Sequence, residues 1–302
     1  MDQLSHVSPD AVSTGTADHR NSGCACSNQG RVKRDAAKCE RCVRARKLDQ
    51  FYTDDDVAKE MYDWFCTQFD PNELVFVEPS AGRGAFSRLF PADSLAYDID
   101  PQGPGIIKAD FLSTPLPKAG RVAVVGNPPF GKNASMAVKF FNHAATKAKV
   151  IAMIFPLTFQ KVSLQNRLNL KFHCIAEKVV PQNAFIMSGQ KKNVPAVFQI
   201  WARGENSRGK NILPTTHPDF KFTSADSAAF AIQRVGADAG KVHHDFSSSK
   251  NSHYFMSANA EGVELVFTSI DFGPVARRTA GVPSLAKTEL VDLYARHKES
   301  DD

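Results

Sequence analysis

Between residues 54 and 69 the apolar side chains Val57, Ala58, Met61, Tyr62, Trp64 and Phe65 recur at helical spacing, behind Thr53 or Asp54 as N-cap. This pattern predicts one amphipathic helix. It then gives way to short unbroken apolar runs at 74–77, 95–97, 122–125 and 150–155. Such runs, bounded by turn residues, read as strands buried on both faces. The first run feeds Glu78-Pro79-Ser80-Ala81-Gly82-Arg83-Gly84, after which residues 85–90 are expected to open a helix. A further helix is expected from about residue 134 to residue 147. Strands and helices alternating in this way argue for an α/β fold with a parallel sheet covered on both faces. The run 196–201 reads as one more strand behind a Gly189/Asn193 turn, which suggests a terminal antiparallel hairpin.

Composition divides the chain. Its 302 residues are 42% hydrophobic, enough for one sizeable core with attachments. Residues 1–23 are polar and without periodicity and are expected to be disordered. Residues 24–47 form a basic, Cys-rich segment. A catalytic domain is expected over 48–204, and 205–302 is expected to be a less periodic α+β region with an accessory or substrate-recognition role. The net charge is +5, but it is not spread evenly. Residues 31–47 hold eight basic and two acidic side chains, so the rest of the chain is close to neutral. The apolar runs fall far short of the roughly 20 residues of a membrane span. The N-terminal residues lack a signal-peptide pattern, so the chain is expected to be intracellular, in the cytoplasm or nucleus of a host cell, and not secreted.

Four of the six cysteines, Cys24, Cys26, Cys39 and Cys42, fall in the pattern C-x-C-x12-C-x2-C. Two close pairs across a loop can place four thiolates around a tetrahedral Zn2+, and the metal would supply folding energy to a segment too small for a core. A reduced, basic, thiol-containing tail is the competing reading.

Gly82 and Gly84 directly follow a strand, and Asp98 ends the next strand 20 residues after Glu78. A carboxylate so placed can accept both ribose hydroxyls of a nucleoside. The third glycine of a dinucleotide fingerprint is missing, which suits S-adenosyl-L-methionine better than a pyrophosphate cofactor. Asn127-Pro128-Pro129-Phe130 follows the strand at 122–125. Consecutive prolines make a rigid extended loop. An Asn oxygen beside a free carbonyl provides two acceptors for a planar exocyclic amine, and Phe130 offers a flat face for its ring. Lys191 and Lys192, just after Phe185, are candidates for phosphate contact at the rim of an acceptor pocket.

In this motif order the chain resembles the class I S-adenosylmethionine-dependent amino-methyltransferases, and among them the gamma-type N6-adenine enzymes. The matching parts are Phe51-Tyr52-Thr53 before the first helix, Glu78 to Gly84 with Ser80, Asp98, Asp110-Phe111, and Asn127 to Phe130. More narrowly, the stretches LDQFYT, VVGNPPFGK, FHCIAEKVVPQNAF and VPAVFQIW look like a group of methyltransferases inferred in large DNA viruses, phages and some microbes. The resemblance covers residues 48 to about 298.

It implies a Rossmann-like sheet of seven strands, mostly parallel with an antiparallel edge hairpin. It also implies that Phe51, Tyr52, Thr53, Glu78, Ser80, Gly82, Gly84, Asp98, Asp110 and Phe111 serve the cofactor and that Asn127 to Phe130 are catalytic. Phe185 would be an aromatic against the target base. The implied partner is nucleic acid, DNA or RNA, whose adenine, if in a duplex, must be flipped out of the stack. A protein glutamine N5-methyltransferase with a related loop is the alternative enzyme. The other alternative is a non-catalytic nucleic-acid-binding protein on a methyltransferase scaffold. The oligomeric state is left open.

Overall fold

The computed structural model describes residues 51–118, 121–279 and 281–301. The chain enters through a two-residue strand, β1 (Tyr52–Thr53), and helix α1 (Asp55–Cys66). Asp54 caps α1 by accepting the Asp56 N–H at 3.2 Å, and Asp55 and Asp56 add negative charge to its first turn. Val57, Ala58, Met61, Tyr62 and Phe65 are its buried stripe.

Next come β2 (Val75–Glu78), β3 (Leu95–Asp98), β4 (Ile107–Lys108), β5 (Val122–Gly126), helix α2 (Ser135–Ala144), β6 (Val150–Pro156), a short α3 (Val162–Gln165) and β7 (Phe172–Val179). A small hairpin, β8 (Phe185–Met187) and β9 (Gln190–Lys192), precedes β10 (Ala196–Arg203). Seven of these strands form one sheet in the order β4-β3-β2-β5-β6-β10-β7. Neighbours from β4 to β6 run parallel, while β10 runs antiparallel to both β6 and β7. The result is the Rossmann-like sheet of class I methyltransferases, with its one reversed strand beside the edge.

The unbroken apolar runs have a simple cause. In β6, Ile151, Met153 and Phe155 join the core under α2, while Val150, Ala152 and Ile154 join the core under α1. A strand covered by helices on both faces has no polar positions to spare.

Three details differ from the sequence reading. The helix expected over 85–90 is only a 3-10 turn, Ser87–Leu89. Pro91 pushes Phe90 into an extended conformation, at ψ 157°, and stops the helix before it can propagate. The edge hairpin is made by β7 and β10, whereas the Gly189 turn belongs to the separate β8–β9 hairpin. That hairpin pairs with β1 to give a small three-stranded sheet, β1-β8-β9. Cys174 is exposed on the edge strand β7, whereas Cys66 is half-buried.

Beyond β10 a second sheet contains β11 (Phe220–Thr223), β12 (Phe230–Gln233), β13 (Val242–His243) and β14 (His253–Ala258), in the order β11-β14-β12-β13 and wholly antiparallel. Helices α4 (Val263–Ser269), α5 (Gly273–Ala276) and α6 (Lys287–Asp301) follow. Phe220, Phe230, Met256, Phe267, Leu290 and Tyr294 share this second core. Lys161, at the start of α3, reaches across to it and donates to Glu289 Oε2 and to the Ser284 carbonyl, both at 3.1 Å. No helix among the described residues is long and apolar enough to cross a membrane.

Candidate active site

The carboxyl ends of β2, β3, β5 and β6 open onto one pocket of about 760 Å³, in the upper part of the range for small-molecule sites. This is where an open parallel sheet leaves a crevice, because the loops leaving neighbouring strands diverge to opposite faces. Ser80 and Gly82 line it from the loop after β2, Asp98 from the end of β3, and Asp110 and Phe111 from the turn after β4. Asn127, Pro128, Pro129 and Phe130 line it from the loop after β5, and Phe51 and Tyr52 from the entering strand.

Asp98 organises the cofactor-side loop. Its Oδ2 accepts the Gly82 N–H and its Oδ1 the Asp100 N–H, both at 2.7 Å. Gly82 has φ +53°, and a Cβ there would lie 2.7 Å from Tyr52 Cδ1. Only a residue without a side chain lets the loop turn this tightly beneath the Tyr52 ring. The Arg83 guanidinium lies 4.7 Å from the centre of the same ring, a cation–π contact that holds Tyr52 over the loop. Farther out, Asp110 caps the turn that carries Phe111 by accepting the Leu112 N–H at 3.0 Å. Phe111 itself is buried and stacked on Phe140.

The Asn127 loop is tied at three points. Ser80 Oγ donates to the Asn127 carbonyl at 2.9 Å, and Asn127 Nδ2 donates to the Phe51 carbonyl at 3.0 Å. The Phe130 carbonyl accepts the N–H groups of Met136 and Ala137 at 3.2 and 3.3 Å, which joins the loop to α2. With the amide nitrogen of Asn127 engaged on Phe51, its Oδ1 is the group left to accept. Phe51 in turn is held by its place beside β1, whose Tyr52 and Thr53 pair with Ile186 and Phe185 of β8.

Other residues singled out in the sequence lie elsewhere. Thr53 and Gly84 are buried and outside the pocket lining. Glu78 is buried beneath the glycine loop, where Oε2 accepts the Ser87 N–H at 2.7 Å. Phe185 is buried and meets Phe51 edge-to-face at 6.4 Å, behind the pocket rather than in its lining. Lys191 is exposed and pairs with Asp54 at 3.1 Å, and Lys192 is exposed beside Gln190. Cys24, Cys26, Cys39 and Cys42 lie outside the described residues, and among those described no group of three or more His, Cys, Asp or Glu side chains converges on a metal-sized site.

The opposite wall was not singled out from the sequence. Thr158, Lys161, Ser163 and Arg167 line the pocket from the segment after β6. The available signal was positional: this segment leaves the carboxyl end of a central parallel strand.

Burial pushes the Glu78 carboxyl from the ordinary 4.5 up to about 8, against the opposing effect of its hydrogen bonds to Ser87 and Phe86. Folded Glu78 therefore stays neutral over a range in which the unfolded chain ionises. Its contribution to stability is complete below about 4.5 and is lost as pH rises towards about 8. Glu78→Gln, which keeps the shape without the titration, is expected to flatten this part of the stability profile. Urea midpoints measured across that pH range check it, and an unchanged slope would count against the assignment.

No family model matches the chain, and no curated protein matches it in sequence. Among solved structures, a Pyrococcus horikoshii protein with a provisional RNA-methyltransferase assignment is similar at 16% identity and a TM-score of 0.41, over 52% of this chain and 88% of that one. The modification subunit of a provisionally assigned type I restriction enzyme from Vibrio vulnificus is similar at 16% identity and a TM-score of 0.38, over 54% of this chain and 47% of that one. Magnesium protoporphyrin IX methyltransferase from Synechocystis, solved with S-adenosylmethionine, is similar at 13% identity and a TM-score of 0.35, over 50% and 79%. The class of fold, a class I methyltransferase sheet, follows from the strand order itself.

Proposed function

We propose that this chain is an S-adenosylmethionine-dependent methyltransferase acting on the exocyclic N6 amine of adenine in DNA or RNA. The observation that carries the proposal is the orientation of Asn127. Its Nδ2 is fixed on the Phe51 carbonyl at 3.0 Å, so Oδ1 and the neighbouring Pro128 carbonyl are the two acceptors available to one amine in the pocket.

The cofactor end of the pocket fits an adenosyl group. Asp98 offers a carboxylate to ribose hydroxyls, and the exposed Ile99 and buried Phe111 offer apolar surface to a flat ring. When bound, S-adenosylmethionine supplies an electrophilic methyl group on a sulfonium. The chain's own residues orient the acceptor. Two hydrogen bonds accepted from the amine draw its nitrogen lone pair out of conjugation with the ring, and Phe130 holds the ring plane. The pocket carboxylates, Asp98 and Asp110, belong to the cofactor end, so the amine proton leaves to solvent rather than to a base beside Asn127. Catalysis then rests on orientation and on acceptors fixed in advance.

The test is incubation of the full chain with methyl-labelled cofactor and a mixture of DNA, RNA and protein, followed by separate nuclease and protease digestion and mass spectrometry of the nucleosides. Label recovered as N6-methyladenine is the expected result. Label lost to protease but resistant to nuclease would transfer the assignment to a protein amide. Absence of cofactor binding in calorimetry would leave only a scaffold.

A further inference from the structure

The pocket has two ends of opposite charge. Its lining carboxylates, Asp98 and Asp110, come from the loops after β3 and β4. Its lining cations, Lys161 and Arg167, come from the segment after β6. The Asn127–Phe130 loop lines the same pocket, and Thr158 and Ser163 add hydroxyl groups to the basic wall.

Lys161 and Arg167 differ in freedom. The Lys161 ammonium is largely buried, with 14% of its side chain exposed, and is held by Glu289 and by the Ser284 carbonyl. It therefore braces this wall against the second sheet unit, and much of its charge is already countered. Arg167 is exposed, and its guanidinium reaches the Asn133 carbonyl at 3.3 Å. A guanidinium has five donors in a planar fork, so this long bond leaves donors for an oxyanion.

We propose that the basic wall of the pocket is a phosphate subsite, with Arg167 contacting the phosphate that flanks the acceptor base and Thr158 and Ser163 assisting. This rests on the function proposed above and sharpens it. A base presented on a phosphodiester chain brings a negative charge close to the ring that enters the pocket. An uncharged peptide amide brings none, and would leave this wall without a counter-charge. The phosphate contact in this reading moves from Lys191 and Lys192 on the β8–β9 hairpin to the segment after β6.

The experiment uses the full chain saturated with S-adenosylhomocysteine and a fluorescein-labelled, adenine-containing single-stranded oligodeoxynucleotide, with the ribo-oligonucleotide as a second arm. Affinity is measured by anisotropy over a series of KCl concentrations. Arg167→Ala is expected to weaken binding about tenfold and to lower the salt slope by about one, the value for one lost phosphate contact. Arg167→Lys is expected to recover much of the affinity, and S-adenosylhomocysteine binding is expected to stay unchanged. A neutral methylphosphonate beside the target adenine should weaken binding to the unsubstituted chain but not to Arg167→Ala, which a merely structural role for Arg167 would not produce. If Arg167→Ala keeps both affinity and salt slope while the unsubstituted chain methylates nucleic acid, the subsite is wrong and the proposed function stands. If the unsubstituted chain neither binds nor methylates either oligonucleotide, both fall.

Discussion

Asn127→Ala is expected to abolish methyl transfer, by about 10²–10³-fold or more in turnover, the range seen when one preorganised polar group is removed from a reacting centre. Cofactor affinity should change little, because Asp98, Gly82 and Phe111 remain in place. The substitution removes two things together: the Oδ1 acceptor, and the hydrogen bond from Nδ2 to the Phe51 carbonyl at 3.0 Å. Asn127→Asp separates them. An aspartate keeps an acceptor oxygen but directs a second one at the Phe51 carbonyl, where two acceptors repel, so the side chain must turn away. Asn127→Asp is therefore expected to lose most activity as well, although it is nearly isosteric. Single-turnover transfer from labelled cofactor, with calorimetry of S-adenosylhomocysteine binding in parallel, measures both effects. Full activity in Asn127→Ala would remove the basis of the mechanism.

Gly82→Val should act on the other end of the pocket. The backbone at Gly82 has φ +53°, and a Cβ would stand 2.7 and 2.8 Å from two atoms of the Tyr52 ring. A β-branched residue pays about 1–2 kcal/mol for the left-handed conformation alone, and the collision adds to this. Relief requires the loop or Tyr52 to shift. Either movement disturbs the 2.7 Å hydrogen bond from the Gly82 N–H to Asp98 and with it the carboxylate offered to the cofactor. Cofactor affinity is expected to fall by at least about tenfold, which corresponds to roughly 1.4 kcal/mol. Circular dichroism should still show a folded sheet, since the strands themselves are not touched. Calorimetry finding the same affinity in Gly82→Val would mean that the glycine loop does not form the cofactor site.

The two variants also separate the halves of the pocket. Asn127→Ala is expected to bind cofactor without using it, and Gly82→Val is expected to fail before the acceptor matters. A chain in which both variants lost cofactor binding would have a loop after β5 that belongs to the cofactor site rather than to the acceptor.

The sheet was legible because its evidence is local. Runs such as 150–155 are apolar at every position, and a strand covered on both faces requires that pattern wherever it sits in the chain. The α1 helix was legible from its buried stripe and from Asp54 ahead of it. The failed helix over 85–90 was also a local matter: Pro91 had a stronger effect on Phe90 than the apolar residues before it. For Phe185 the sequence left open a role against a base or a place in the core, and burial among the residues under α1 puts it behind Phe51.

The sequence by itself determined the strand runs, the glycine loop, the acidic end of β3 and the rigid Asn127–Phe130 loop, because each depends on neighbours within a few residues. Only the tertiary structure decided which of these meet and how they are aimed. Asn127 is oriented by Phe51, 76 residues earlier in the chain, and Lys161 is held by Glu289, 128 residues later. Such pairings carry no periodicity of their own. They arise when the parallel strands order themselves so that their carboxyl ends share one crevice, which brings Arg167 to the pocket and ties Lys191 to Asp54 at the start of α1.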